Sequence, residues 1–427
     1  MNYVYLFFII LAIWLNLKTN NGYFRPSVFF MGGFCCAFVV LAINSRKWDY
    51  TLSFKTFFMI FLSMFFFFCG EFFSLKISRK NKRIYNPFIV KFSLKRNQIF
   101  WWLGLILAIA LLIYRIANIR TVIAIYGQGN YILENYRVYG NGEDSISISI
   151  KFLESTVSVF SFYYVVVFFL SKEKIKKKIK NLIPIVLYTI QCILTASRSN
   201  VLRIIFICTL LWIFIKNNQQ NIKLKFKTKR NLIIIFIFAM LFFAFLGNLT
   251  GKTQKLGVID SLSIYTGGSL PALDIFIRKY AGSPQFGYYT LQGVRRILEL
   301  LGVDIVYKIS YFSHGDFIHF GMYKTNVYSC FRNYLIDYGY IGSIVLMFIF
   351  GYIFGLFYDR RIKKHSSLKY YDITIYSVLI FYVFFSFVTE RIFSQILTAT
   401  TIFEILLYFV IFSRNPVEKK SEVITDA

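Results

Sequence analysis

Arg115, Arg198, Arg203 and Arg391 stand at or just inside the ends of long apolar runs, beside loops that hold arginine and almost no lysine. Guanidinium is planar, permanently charged, and matches two oxygens of a phosphate with paired donors. Ionisable groups in such runs are costly and usually functional. The plain alternative is that these arginines snorkel or pair with Glu154, Glu390 and neighbouring acids. As a set they predict a site for an anionic ligand, with Arg198 sharing a cavity with at least one of Arg203, Arg278, Arg332 or Arg391. Three groups suit proton transfer. His314 and His319 flank Asp316 in SHGDFIH, but two histidines without a supporting ligand cluster read better as loop residues than as a metal site. No metal or cofactor is expected. Asp337 precedes Tyr338-Gly339 at the entry to an apolar run, where it serves either as a base or as a helix cap. GKT at Gly251–Thr253 follows Gly247 by too short a spacing for a phosphate loop.

The elements that must hold these residues are membrane helices. Hydrophobic types make up 57% of 427 residues, charged types 16%, mean hydropathy is +0.57 and Phe occurs 51 times. That profile excludes a soluble enzyme, a disulfide scaffold and a disordered chain. The net charge of +29 would suggest nucleic acid in a soluble protein. Here the positive-inside rule accounts for it, and no nucleic-acid partner is expected. The six cysteines show no disulfide or zinc spacing.

Apolar runs near 3–17, 27–43, 56–73, 98–117, 151–170, 182–196, 199–215, 232–249, 339–358, 372–389 and 394–412 predict about eleven (ten to twelve) transmembrane helices. The fold class is therefore all-α polytopic membrane protein, a single integral membrane domain over 1–427. Segments 74–97, 171–181, 216–231 and 359–371 hold eight, six, six and five Lys/Arg, mostly lysine. All four fall on one side, which is then cytoplasmic together with the carboxyl end. Arg46, Lys47 and Lys55 conflict with this by falling in an external loop. The external side carries a loop at 118–150, a tight turn at Ser197–Asn200, and a large segment at 250–338 containing short helices. Loops that long are usually functional. The external connection at 44–55 holds Asp49 as its one carboxylate, which counts against a metal-assisted glycosyltransferase.

Three stretches in one order carry a family resemblance. LTASRSNVLRIIF (Leu194–Phe206) resembles the T-x-S-R-G-type turn of bacterial O-antigen and capsule repeat-unit polymerases, the Wzy group, with Asn200 following Ser199 where glycine is common. TNVYSCFRNYLIDYGYIGSIVLMFIFGYIFG (Thr325–Gly355) resembles the segment that ends the large periplasmic loop in that group, and YTGGSLPALDIF (Tyr265–Phe276) looks like its opening. The related O-antigen ligases carry a His-Asn pair where Thr325 precedes Asn326 here, a departure that argues against a ligase.

The resemblance implies a GT-C-like glycosyltransferase in the bacterial inner membrane with its active site facing the periplasm. It would transfer a growing glycan from undecaprenyl diphosphate to the non-reducing end of a new lipid-linked repeat unit, for lipopolysaccharide or capsule. Arg115, Arg198, Arg203, Arg278, Arg332 and Arg391 would bind diphosphate or glycan, Asn326 a sugar hydroxyl, and Asp337, His314 or His319 would activate the acceptor. Partners implied are the undecaprenyl-diphosphate-linked oligosaccharide, the bilayer, a chain-length regulator and a flippase. The competing functions are a flippase or transporter of lipid-linked glycans and a ligase-type transferase. A transporter predicts cations deep in a central cavity and Gly/Pro-broken helices, whereas the chain has only six prolines.

Overall fold

The computed structural model describes residues 1–20, 22–80, 94–127, 135–136, 139, 148–171, 173–216, 226–249, 257–279, 284–303, 317–363 and 369–413. Ten of the eleven apolar runs each fall on one main helix, and the 394–412 run falls on two. In chain order these are α1 (Asn2–Asn20), α2 (Pro26–Asn44), α3 (Phe54–Lys80), α4 (Leu94–Tyr126), α5 (Ile148–Leu170), then, after the short α6 (Ile175–Lys178), α7 (Ile183–Leu194), α8 (Arg198–Lys216) and α9 (Phe226–Leu249). The long segment contributes α10 (Val258–Gly267), α11 (Ser269–Lys279), α12 (Gln292–Leu300) and a hairpin of β1 (Ile318–Phe320) and β2 (Tyr323–Thr325), before α13 (Phe331–Phe357), α14 (Lys369–Phe384), α15 (Ile392–Ile396) and α16 (Ala399–Ser413). Among the described residues eight helices are long and apolar enough to cross a membrane. In hydrocarbon a chain must satisfy its own backbone groups, which is why the apolar runs become helices. The chain is an all-α polytopic membrane protein, apart from that one hairpin.

Several boundaries differ from those read in the sequence. α4 continues to Tyr126, so the 118–150 loop begins as helix. α13 starts at Phe331 and kinks at Gly339, whose φ of 66° and ψ of −170° interrupt the helix near where the apolar run begins. The 394–412 run is divided at Leu397–Thr398 into α15 and α16. The long segment contains a β-hairpin, with His319 opposite Lys324, as well as its short helices.

Small residues set the tightest packing. A Cβ at Gly351 of α13 would fall on the Phe67 carbonyl oxygen of α3, and one at Gly70 on the Phe348 carbonyl oxygen. Glycine therefore allows the two backbones to touch. The long segment is strapped to the α2–α3 connection through Asp274 of α11. Its buried carboxylate accepts hydrogen bonds from Ser53 Oγ, Thr56 Oγ1 (2.6 Å), Tyr50 OH (2.7 Å) and Arg278 Nη2 (2.7 Å). Lys47 pairs with Asp260 of α10, and Lys55 lies 5.1 Å from the Tyr340 ring. Two of the cations that clashed with the charge pattern thus serve as contacts to the long segment and its exit helix.

Burial alone would raise the Asp274 carboxyl, but the hydroxyl donors of Ser53, Thr56 and Tyr50, with Arg278, hold it below its usual value. A depressed folded-state value means the strap contributes stability above the unfolded value, near 3.9, and loses it as pH falls through the lower folded value. Amide exchange over 269–279 is therefore expected to stay slow from neutral pH down to about 4 and to accelerate only below it. Acceleration already near pH 6 would contradict the strap.

Candidate functional site

An elongated cavity of about 830 Å³ lies among α2, α8, α9, α10 and α14. Arg198, Arg391, Asn326, Ser197, Ser199 and Thr389 line its polar end, which faces the long segment. The rest is apolar and rich in aromatic rings, among them Phe24, Phe29, Phe206, Phe243, Phe384 and Phe385. Ser197 and Ile213 both line it, so at 1.5 Å per helical residue it extends ~24 Å along α8. A cationic end joined to a long aromatic trough matches an anionic head with a hydrocarbon tail.

Arg198 owes its place to the turn before it. Ser197 N donates to Cys192 O at 3.0 Å and Ala196 N to Ile193 O at 2.9 Å, the paired bonds that end a helix through a left-handed residue. That residue is Ala196, with φ of 55°, a conformation that costs an L side chain about 1–2 kcal/mol. The Ser197 carbonyl then accepts from Asn200 N and Val201 N, so α8 starts at once and Arg198 is its first residue. The turn thus lies at Thr195–Ser197, slightly earlier than read in the sequence. An arginine at the amino end of a 19-residue helix adds its charge to the helix's own positive end, a setting that favours anions. The residue is 5% exposed, and its guanidinium carbon packs against the edge-to-face pair of Phe243 (4.7 Å) and Tyr265 (4.6 Å), whose ring centroids are 5.6 Å apart. Such stacking fixes the plane of the fork.

Arg391 approaches from the other side, its guanidinium carbon 5.2 Å from the Phe385 ring. Burial, above all, lowers its pKa, and the Arg203 cation adds to that, while Tyr382 and Glu390 act the other way. It stays protonated at neutral pH. A cation kept in a desolvated place near another cation is stabilised by an arriving anion.

The other sequence candidates lie elsewhere. Arg203 pairs with Glu404 (2.9 Å), Arg115 with Glu154 (3.0 Å), and Arg278 with Asp274. Arg332 is buried, 4.2 Å from the Tyr328 ring. None of these four lines the cavity among the described residues. His319 is exposed on β1, and His314 falls outside the described residues. No group of three or more metal-ligating side chains gathers among the described residues.

Asp337 is 1% exposed and lies away from the cavity lining, seven residues into α13 rather than at its cap. Its oxygens accept from Tyr289 N (3.1 Å), Thr290 N (2.7 Å) and Thr290 Oγ1 (2.7 Å). They anchor the 284–291 turns to α13. Asp337→Asn would turn an amide NH₂ towards backbone N–H donors, at a cost of about 1–3 kcal/mol. We expect lower protein level with polymer length unchanged in what remains, read by immunoblot and glycan gel side by side. A full-level protein without chain extension would return Asp337 to the catalytic candidates.

Sequence reading passed over one buried cluster. Arg25 Nε pairs with Glu71, and its Nη1 and Nη2 reach the Asp359 carboxylate at 3.2 and 3.1 Å. Glu71, an acid inside the apolar run of α3, was the signal that could have revealed it. The Phe243 and Tyr265 rings gave no signal, since neither is unusual among 51 Phe and 31 Tyr.

Comparison with known families decides the class. The model for the O-antigen polysaccharide polymerase Wzy matches residues 1–264. The chain belongs to that family. No curated protein and no solved structure matches it. The Wzy match includes Arg198 and its turn and ends just before Tyr265. Of the three stretches that carried the resemblance, it contains Leu194–Phe206 alone. Membership assigns O-antigen repeat-unit polymerisation in general, by a glycosyltransferase-type polymerase in the membrane that acts on lipid-linked saccharide.

Proposed function

We propose that the protein transfers a growing glycan from undecaprenyl diphosphate to the non-reducing end of a new lipid-linked unit, at the periplasmic face of the inner membrane. The observation that carries this is Arg198 and Arg391 together at the polar end of an aromatic cavity. The diphosphate sits between the two guanidiniums and the amino end of α8, and the first isoprene units occupy the trough. As the glycosidic carbon leaves diphosphate for the acceptor hydroxyl, negative charge collects on the departing phosphate oxygens. Fixed cations at that point stabilise it most where water is scarce. No catalytic metal is needed in this reading, and activity should persist in chelator. Asn326, exposed at the same end, offers its amide to a sugar hydroxyl. All eleven apolar runs cross the membrane, placing the lysine-rich loops and the carboxyl end in the cytoplasm.

Deletion followed by glycan electrophoresis tests the reading. Loss of the long ladder with single-repeat product retained supports it. Loss of all surface glycan would indicate an earlier step, such as a flippase. A flippase would also require cations deep in the cavity, whereas both of its arginines lie at one end.

A further inference from the structure

The cavity has a floor, and the floor is pinned. Phe24 and Ile213 line the end opposite Arg198. Behind them the Phe24 ring stands 5.4 Å from Phe214, which stands 5.9 Å from Tyr376, and Tyr376 OH donates to the Phe24 carbonyl at 2.6 Å. The next residue, Arg25, is clamped by Glu71 of α3 and by Asp359 in the turn just after α13, and packs 5.3 Å from the Tyr358 ring. Ser27 N also donates to Glu71 at 2.7 Å. Breaking such a buried set by removing one partner strands a charge, so the pairing resists displacement. The α1–α2 connection, α3 and α13 are therefore locked where the trough ends. Arg25 is a positioning residue for Phe24.

We propose that this aromatic floor, held by Arg25, Glu71 and Asp359, sets how much of a polyprenyl tail the site reads. This rests on the trough being the lipid site, as proposed above. A trough of ~24 Å holds about five isoprene units at roughly 4.5 Å per five-carbon unit. Units beyond the floor leave into the bilayer and add nothing to recognition. The substrate requirement is thus for a minimum prenyl length, not for one particular lipid.

Binding of bare prenyl diphosphates, from geranyl to chains longer than farnesylgeranyl, to the full chain in nanodiscs tests this. Affinity is expected to rise several-fold with each added unit, as packing contacts along the trough accumulate, and to level off at about five units. Phe24→Ala should move the plateau out by about one unit, and Ile213→Ala gives the same readout if Phe24→Ala fails to accumulate. Arg25→Gln should blur the plateau without weakening geranyl diphosphate, which does not reach the floor. A flat length profile with diphosphate binding intact, or a plateau unmoved in both floor variants, overturns the inference and leaves the site assignment standing. No binding of a prenyl diphosphate of any length would overturn the site assignment itself, and the floor's role with it.

Discussion

Arg198→Lys is expected to reach normal protein level and to lose about tenfold to a hundredfold in polymerisation rate, with Arg198→Ala losing about 10²–10³-fold. Lysine keeps the charge but not the plane, so it cannot pack flat against the Phe243 and Tyr265 pair and offer two parallel donors. The single-repeat product should accumulate as the ladder fades. Initial rates on isolated membranes separate this from a change in abundance. Full activity in Arg198→Lys would show that the residue acts as a point charge only, and full activity in Arg198→Ala as well would remove the diphosphate from this position.

Gly32→Trp should deplete long chains by a different route. Gly32 lines the trough on α2, and a Cβ there meets nothing within 4 Å. A large side chain therefore enters open space without disturbing the helix, in contrast to neighbouring Gly33, whose added Cβ would meet the Phe384 backbone. The indole takes volume that the tail would use. The tail leaves bilayer hydrocarbon rather than water, so each excluded unit forfeits packing contacts and weakens lipid binding several-fold, and an indole that displaces several units depletes the long ladder. Thermal stability in detergent should be unchanged. A Gly32→Trp protein that polymerises normally would place the lipid tail elsewhere.

Helices were legible because hydrocarbon leaves few alternatives to them, so the apolar runs fall on helices, the last of them divided in two. The departures have physical causes. The hairpin at Ile318–Thr325 is three residues per strand and carries no lasting alternation. Gly339 kinks α13 through a positive φ that composition does not advertise. For the site, Arg198 was legible because its turn is local and its charge lies between two apolar runs. Arg115 pairs with Glu154 of the next helix, an acid the plain alternative already named, whereas Arg203, which reads identically in sequence, has Glu404, 201 positions away, beside it. Pairings across such separations are set by packing, which one sequence does not display. The Arg25, Glu71 and Asp359 cluster was hidden for the same reason, since Arg25 and Asp359 are separated by 334 positions.

The most direct measurement is photo-crosslinking with a diazirine-bearing prenyl diphosphate, the label on the second isoprene unit, followed by peptide mapping of the full-length protein in native membranes. Label is expected on α8, α9 and α2 within the trough, competed by unlabelled prenyl diphosphate and lost in Gly32→Trp. Label confined to the lipid-facing surfaces of α1 or α4, or label on the trough that persists unchanged in both Arg198→Ala and Gly32→Trp, would contradict the trough as the lipid site.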